Sequence, residues 1–141
     1  MKLADIEKEI QQDSVIDNAN LDTESLRIPL LHAKYYRIFM EELKILKGLE
    51  REFRISKKEK IEYYTGRAAD EVYQAKPLNS KVLRSDVDIY LDADSELSQL
   101  RMNMEFQQAK VQLLENFIRN LGFRNNTIKN AIDWNRFKNG G

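Results

Sequence analysis

Cysteine is absent from this chain of 141 residues, which excludes a disulfide, a thiolate zinc site and a cysteine nucleophile. Glycine (five) and proline (two) are scarce, and that argues against a turn-dense β sandwich or barrel. The five glycines are isolated or terminal, so no glycine-rich loop exists to cradle a phosphate. His32 is the only histidine; one imidazole on a helix cannot assemble a zinc site, and no serine is spaced to form a triad with it. No apolar run approaches the roughly 18 residues of a membrane span. The start, Met1 to Glu7, lacks the apolar stretch of a signal peptide. These absences lead us to expect a protein without catalytic machinery, cofactor or metal, at home in the cytoplasm and away from the membrane.

Neither sign of charge predominates, since 23 Lys and Arg balance 23 Asp and Glu. The charge is nonetheless sorted. Residues 1–26 sum to −5, residues 44–67 to +4, residues 84–105 to −4 and residues 106–141 to +4. A locally basic field can therefore attract phosphate in a chain whose total is zero. The acidic blocks are candidate docking surfaces for a basic protein patch or for a neighbouring copy.

With 42% hydrophobic and 33% charged residues, the composition leans helical and suits one domain with a modest core. Leu3, Ile6 and Ile10 stand at helical spacing, and Asp17 to Asp22 is turn-like. A long helix is expected from about Thr23 to about Tyr64, with Pro29 tolerable near its start or else marking a kink. Its stripe of Leu31, Tyr35, Ile38, Phe39, Leu46, Leu49 and Phe53 gives out before Lys57, Lys60 and Tyr64. The far end of the helix should therefore face solvent or a ligand. Gly66 is placed to stop it, and residues 67–85 read as a flexible loop. Val87, Ile89 and Leu91 alternate with Asp88 and Tyr90, which allows a short strand.

Asp94 or Ser95 can cap a further helix. In it Leu97, Leu100, Met104, Gln107, Val111, Leu114, Ile118 and Leu121 keep three-four heptad spacing. Seven of the eight are apolar, the mark of a coiled-coil or bundle seam whose partner is the same chain or a second copy. Gly122 and Phe123 read as a stop, with a last helix from about Asn126 to Phe137 and a fraying end over Lys138 to Gly141. The fold class is mainly all-α, with a central loop or short strand. Residues 1–85 form the amino-terminal part and residues 86–141 the carboxy-terminal part of one compact unit.

The segment Lys44 to Arg67 sets eight cations against four acids. On a helix Lys47, Arg51, Arg54 and Lys58 share one face, and Lys57, Lys60, Tyr64 and Arg67 share another. Cations beside exposed rings suit single-stranded nucleic acid, by phosphate pairing and base stacking. The same pattern also suits a solvated face held by local pairs such as Glu50 with Arg54, in a helical scaffold protein that binds no nucleic acid. Asp86-Val-Asp88-Ile-Tyr90-Leu-Asp92-Ala-Asp94 is not a calcium loop: Leu91 replaces the glycine and Leu97 the closing glutamate.

Lys58-Glu59-Lys60-Ile61-Glu62-Tyr63-Tyr64-Thr65-Gly66 resembles a motif of the UvsY family, the recombination mediators of T-even-type bacteriophages. Gly122-Phe123, Ile128, Ile132 and Arg136-Phe137 match the family near the carboxy terminus, and Ile16-Asp17 before the long helix also fits. The chain departs from the family pattern in carrying Lys60 for an arginine and Glu59 for a small apolar spacer; lysine keeps the charge but loses the planar fork. The resemblance implies a non-enzyme in the bacterial host's cytoplasm. It implies a homo-oligomeric ring, hexamer or heptamer, that binds single-stranded DNA, weakens the hold of single-strand binding protein and loads a RecA-like recombinase. Carried over, DNA contact falls on Lys58 and Lys60; from the basic segment itself, Arg51, Arg54, Lys57, Tyr64 and Arg67 are the next candidates. Self-association falls on Leu97 to Phe137, along the seam of Leu97, Leu100, Met104, Val111, Leu114, Ile118 and Leu121.

Overall fold

A computed structural model describes residues 1–140. Among them every regular element is helical: α1 (Leu3–Ser14), α2 (Leu21–Tyr64), α3 (Asp70–Ala75), a 3-10 turn (Arg84–Asp86), α4 (Val87–Ala93) and α5 (Ser95–Lys138). The all-α expectation matches. The long helix starts two residues earlier than expected and runs for 44 residues. Pro29 lies in its third turn on the exposed side, where the carbonyl left without an amide partner can turn to water.

The strand over Val87–Leu91 is not formed; these residues open α4. Alternation over so few residues fits a single helical turn as well as a strand. Here Leu91 is buried and Ile89 exposed, so α4 buries its apolar side at one position. Residues 67–85 are not wholly loop, since α3 occupies six of them. Gly122 does not stop a helix. It sits inside α5, which runs for 44 residues from Ser95 to Lys138, because the buried row carries on from Leu121 to Arg124 and Ile128 without a break. Of the expected fraying end, Asn139 and Gly140 form a turn, and Gly141 lies outside the described residues. Gly66 does end α2. Its φ is +76°, the Arg67 N–H donates to the Glu62 carbonyl at 2.8 Å and the Gly66 N–H to the Tyr63 carbonyl at 3.3 Å, which is a Schellman motif.

Two compact units divide the chain, with boundaries inside both long helices. The first holds Met1–Lys44 and the chain from Ala109 onward. Its core is Ile6, Leu31, Tyr35, Ile38, Leu114 and Leu121, with Phe39, Leu113, Phe117 and Ile118 packed against it. The Tyr35 and Phe117 rings meet edge to face at 4.5 Å. Polar side chains fasten α1 to the same core. Asp13 accepts from the Tyr35 hydroxyl at 2.8 Å and from Lys34 at 2.7 Å, and Lys34 also pairs with Glu9. Buried Arg124 donates to the Asp13 carbonyl at 2.6 Å and to Glu24 at 3.0 Å. The second unit, Ile45–Gln108, contains the end of α2, all of α3 and α4 and the start of α5. Leu46, Tyr63, Leu91 and Leu97 are buried there.

Candidate nucleic-acid interface

The basic segment lies in the second unit along the end of α2, and helical phase decides which cations are free. Lys47, Arg51, Arg54 and Lys58 project into solvent, as does Lys57. Lys58 is 80% exposed, with Glu62 one turn on at 3.7 Å, a pair that water screens almost completely. Glu50 does not take Arg54 as expected; it pairs with Lys47 at 3.2 Å. Among the described residues Arg51, Arg54 and Lys57 have no carboxylate within ion-pair distance, so their charge is uncompensated by contact. Arg67, just past the Schellman turn, is exposed and donates to the Thr65 hydroxyl at 3.1 Å. With Lys58, Ile61 and Glu62 it edges a shallow hollow of about 280 Å³.

The second expected face is split. Lys57 and Arg67 are open, but Lys60 and Tyr64 turn inward, against the expectation that this face meets solvent. The Lys60 side chain is only 12% exposed, and its ammonium lies 3.2 Å from Asp94 and 2.9 Å from Glu96. Burial works against its charge, but the hydrogen bonds to Glu96 and Asp94 outweigh it and hold the pKa above the ordinary lysine value. The Tyr64 hydroxyl donates to Asp94 at 2.6 Å. Its ring packs on Tyr63 and Tyr90 at 5.0 and 5.5 Å. Tyr63 is buried, stacks on Tyr73 at 5.4 Å and donates to the Lys76 carbonyl at 3.1 Å. The twin tyrosines are thus packed against their neighbours and hold α3 and α4 to the end of α2.

Asp94 is the residue on which this corner converges, and the sequence marked it as a cap and as part of an acidic block, not as a partner of Lys60 and Tyr64. One carboxylate oxygen does cap α5, accepting the Leu97 N–H at 3.0 Å; the other receives Tyr64 and Lys60. Burial pushes its pKa up, but the Tyr64 hydroxyl, the Leu97 N–H and Lys60 together bring it below the ordinary range. Glu96 is held low by its hydrogen bond and charge contact with Lys60. Part of the acidic blocks is therefore spent internally, on Lys60 through Asp94 and Glu96 and on Lys34, Arg27 and Arg124 through Glu9, Asp13 and Glu24.

Part of the seam is spent internally as well. Leu97 and Leu114 are fully buried, Val111 and Leu121 nearly so, and Leu100, Met104 and Ile118 are half-buried. Within one chain Leu97, Val111, Leu114 and Leu121 are already covered, while Leu100, Met104 and Ile118 keep part of their surface open. The large apolar side chains that α5 leaves exposed are Met102, Phe106, Phe123, Trp134 and Phe137, with the last two rings stacked at 5.5 Å. His32 is exposed and stacks on Tyr36. Among the described residues no group of three or more His, Asp or Glu side chains is placed to hold a metal ion, and no helix is long and apolar enough to cross a membrane.

Two crystal structures of the recombination mediator protein UvsY of bacteriophage T4 share the fold. One superposes with a TM-score of 0.86 at 20% identity and covers 98% of each chain. The other does so with a TM-score of 0.83 at 19% identity, over 98% of this chain and 99% of that one. No curated protein sequence matches. A family model described as "Recombination, repair and ssDNA binding protein UvsY" matches residues 9–141. With that match over nearly its whole length, the chain belongs to the UvsY family.

Proposed function

We propose that this protein is a non-catalytic recombination mediator that binds single-stranded DNA, as a homo-oligomeric ring, through the exposed cations of α2. Family membership supports the mediator role. The observation that carries the DNA reading is the set of solvent-facing cations Arg51, Arg54 and Lys57 beside Lys58 and Arg67. Uncompensated charges on one helix end attract phosphate without reading sequence. A few phosphates per protomer is a weak site, but repetition around a ring makes it strong by effective concentration. Copies associate through the carboxy-terminal part, where the exposed Phe123, Trp134 and Phe137 and the half-buried Leu100, Met104 and Ile118 of the seam can meet a neighbour. A ring that bends the strand disfavours single-strand binding protein by thermodynamic coupling and hands the strand to a RecA-like recombinase.

Fluorescence anisotropy on labelled oligothymidylate over a salt series tests the binding step. The wild type should lose affinity steeply with salt, and Arg54→Ala with Lys58→Ala should flatten that slope while light scattering reports an unchanged mass. A salt-independent affinity, or none, would leave a helical scaffold protein. Strand-dependent ATP hydrolysis by the cognate recombinase, on DNA coated with single-strand binding protein, tests the mediator step: it should rise with this protein and fail with the double variant.

A further inference from the structure

The cation at position 60 stands in the motif that resembles a DNA-contacting one, yet it is the least available cation of the segment. Its ammonium has three donor hydrogens and sits between two carboxylates, at 3.2 and 2.9 Å, over the Tyr63 ring at 5.9 Å. Lys60, Asp94 and Glu96 together carry one net negative charge, so a phosphate approaching this point is repelled. A phosphate reaching Lys60 would have to displace Glu96, which is 64% exposed, or Asp94, which also accepts Tyr64 and caps α5. Partners 34 and 36 residues away along the chain make Lys60 a tie between the last turns of α2 and the first turn of α5.

We propose that Lys60 is a positioning residue: it locks the end of α2 to the start of α5 through Asp94 and Glu96, and presents Lys57, Lys58 and Arg67 to the strand without touching it. This rests on the reading of the protein as a single-strand binder. The lysine suits the task, since a compact ammonium can bridge carboxylates of two different residues. Replacing it strands two acids beside the DNA-facing cations, so its removal weakens binding indirectly. A drop in affinity in a Lys60 variant therefore does not by itself mark a phosphate contact.

Three full-length variants separate the roles: Lys58→Ala, Lys60→Met, and Lys60→Met combined with Asp94→Asn and Glu96→Gln. The triple change leaves the corner neutral; the asparagine that Asp94→Asn introduces keeps its oxygen as the cap for α5, and its side-chain N–H can donate to the Tyr64 hydroxyl oxygen. Oligothymidylate affinity against salt is measured for each, with thermal unfolding. Lys58→Ala should lower the logarithmic salt slope by about 0.7 for each phosphate it no longer neutralises. Lys60→Met should lower the melting temperature and the affinity, and the triple variant should recover part of both, since the stranded acids are gone but the tie is not restored, and should keep the full wild-type slope. A triple variant with the affinity and reduced slope of Lys58→Ala would overturn the proposal, because the phosphate contact itself would then be missing. A Lys60→Met protein that melts with the wild type would overturn the lock. If the wild type itself bound no oligothymidylate, the functional reading would fall, and the presentation of cations to a strand with it. Lys60→Met unfolding early with recovery in the triple variant would still support the lock.

Discussion

Replacing Gly122 by alanine should stabilise this protein, and replacing Gly66 by alanine should destabilise it. Gly122 sits inside α5 on its exposed side, and a Cβ added there meets nothing within 4 Å. Its φ is not positive; among the described residues only Gly66 and Gly140 adopt positive values. Alanine therefore gains the helix-interior preference over glycine, about 0.8 kcal/mol, without a steric charge against it. For a chain of this size that is about 3 °C in melting temperature. Gly66 also has open space around its Cβ position, but its φ of +76° costs an L-residue about 1–2 kcal/mol. Gly66→Ala should accordingly lower the melting temperature by a similar or larger amount. Far-UV circular dichroism melts and urea titrations at matched protomer concentration read both changes, since association makes melting concentration-dependent. Destabilisation of Gly122→Ala comparable to that of Gly66→Ala would refute the continuous helix and restore a glycine stop at position 122.

Arg124→Met removes the guanidinium that joins Glu24 to the Asp13 and Val15 carbonyls and should cost about 3 kcal/mol in urea unfolding; adding Glu24→Gln should recover part of it, and a cost near zero would contradict the buried pair. Asp94 has its folded pKa depressed below the ordinary 3.8, so its contribution is present above that value and fades as pH falls through the folded value. Asp94→Asn should therefore be less stable than wild type at pH 7, with the gap closing towards pH 2; a gap constant over that range would refute the assignment. Leu114→Ala, at a fully buried position, should cost about 3 kcal/mol, whereas Trp134→Glu should leave the melting temperature of the isolated protomer unchanged and reduce the mass seen by light scattering. Equal effects on stability from the two would place Trp134 in the core.

The helices were legible because a helix is a local object. Heptad spacing from Leu97 to Leu121, the stripe from Leu31 to Phe53 and a glycine after Tyr64 each constrain a few turns of chain, and nothing distant needs to be known. Charge sorting was legible for the same reason. Short windows were not: five alternating residues over Val87–Leu91 fit a strand or a helical turn equally, and burial of Leu91 decided it. Gly122 reads as a stop in isolation, but the buried positions on either side of it carry the helix through.

The candidate site divides along the same line. That the end of α2 is rich in cations is a property of the sequence. Which of them are free is a property of the packing, because Lys57, Lys60 and Tyr64 share a helical face and only distant residues distinguish them. Asp94 stands 34 residues beyond Lys60 and 30 beyond Tyr64, and no local pattern announces that it gathers both. The seam is the converse case. Its apolar repeat was plain in the sequence, but a repeat specifies only that a partner exists. Burial of Leu97, Val111, Leu114 and Leu121 within a single chain assigned the partner of those four positions, because a side chain with no surface left to water has none to give to a second copy.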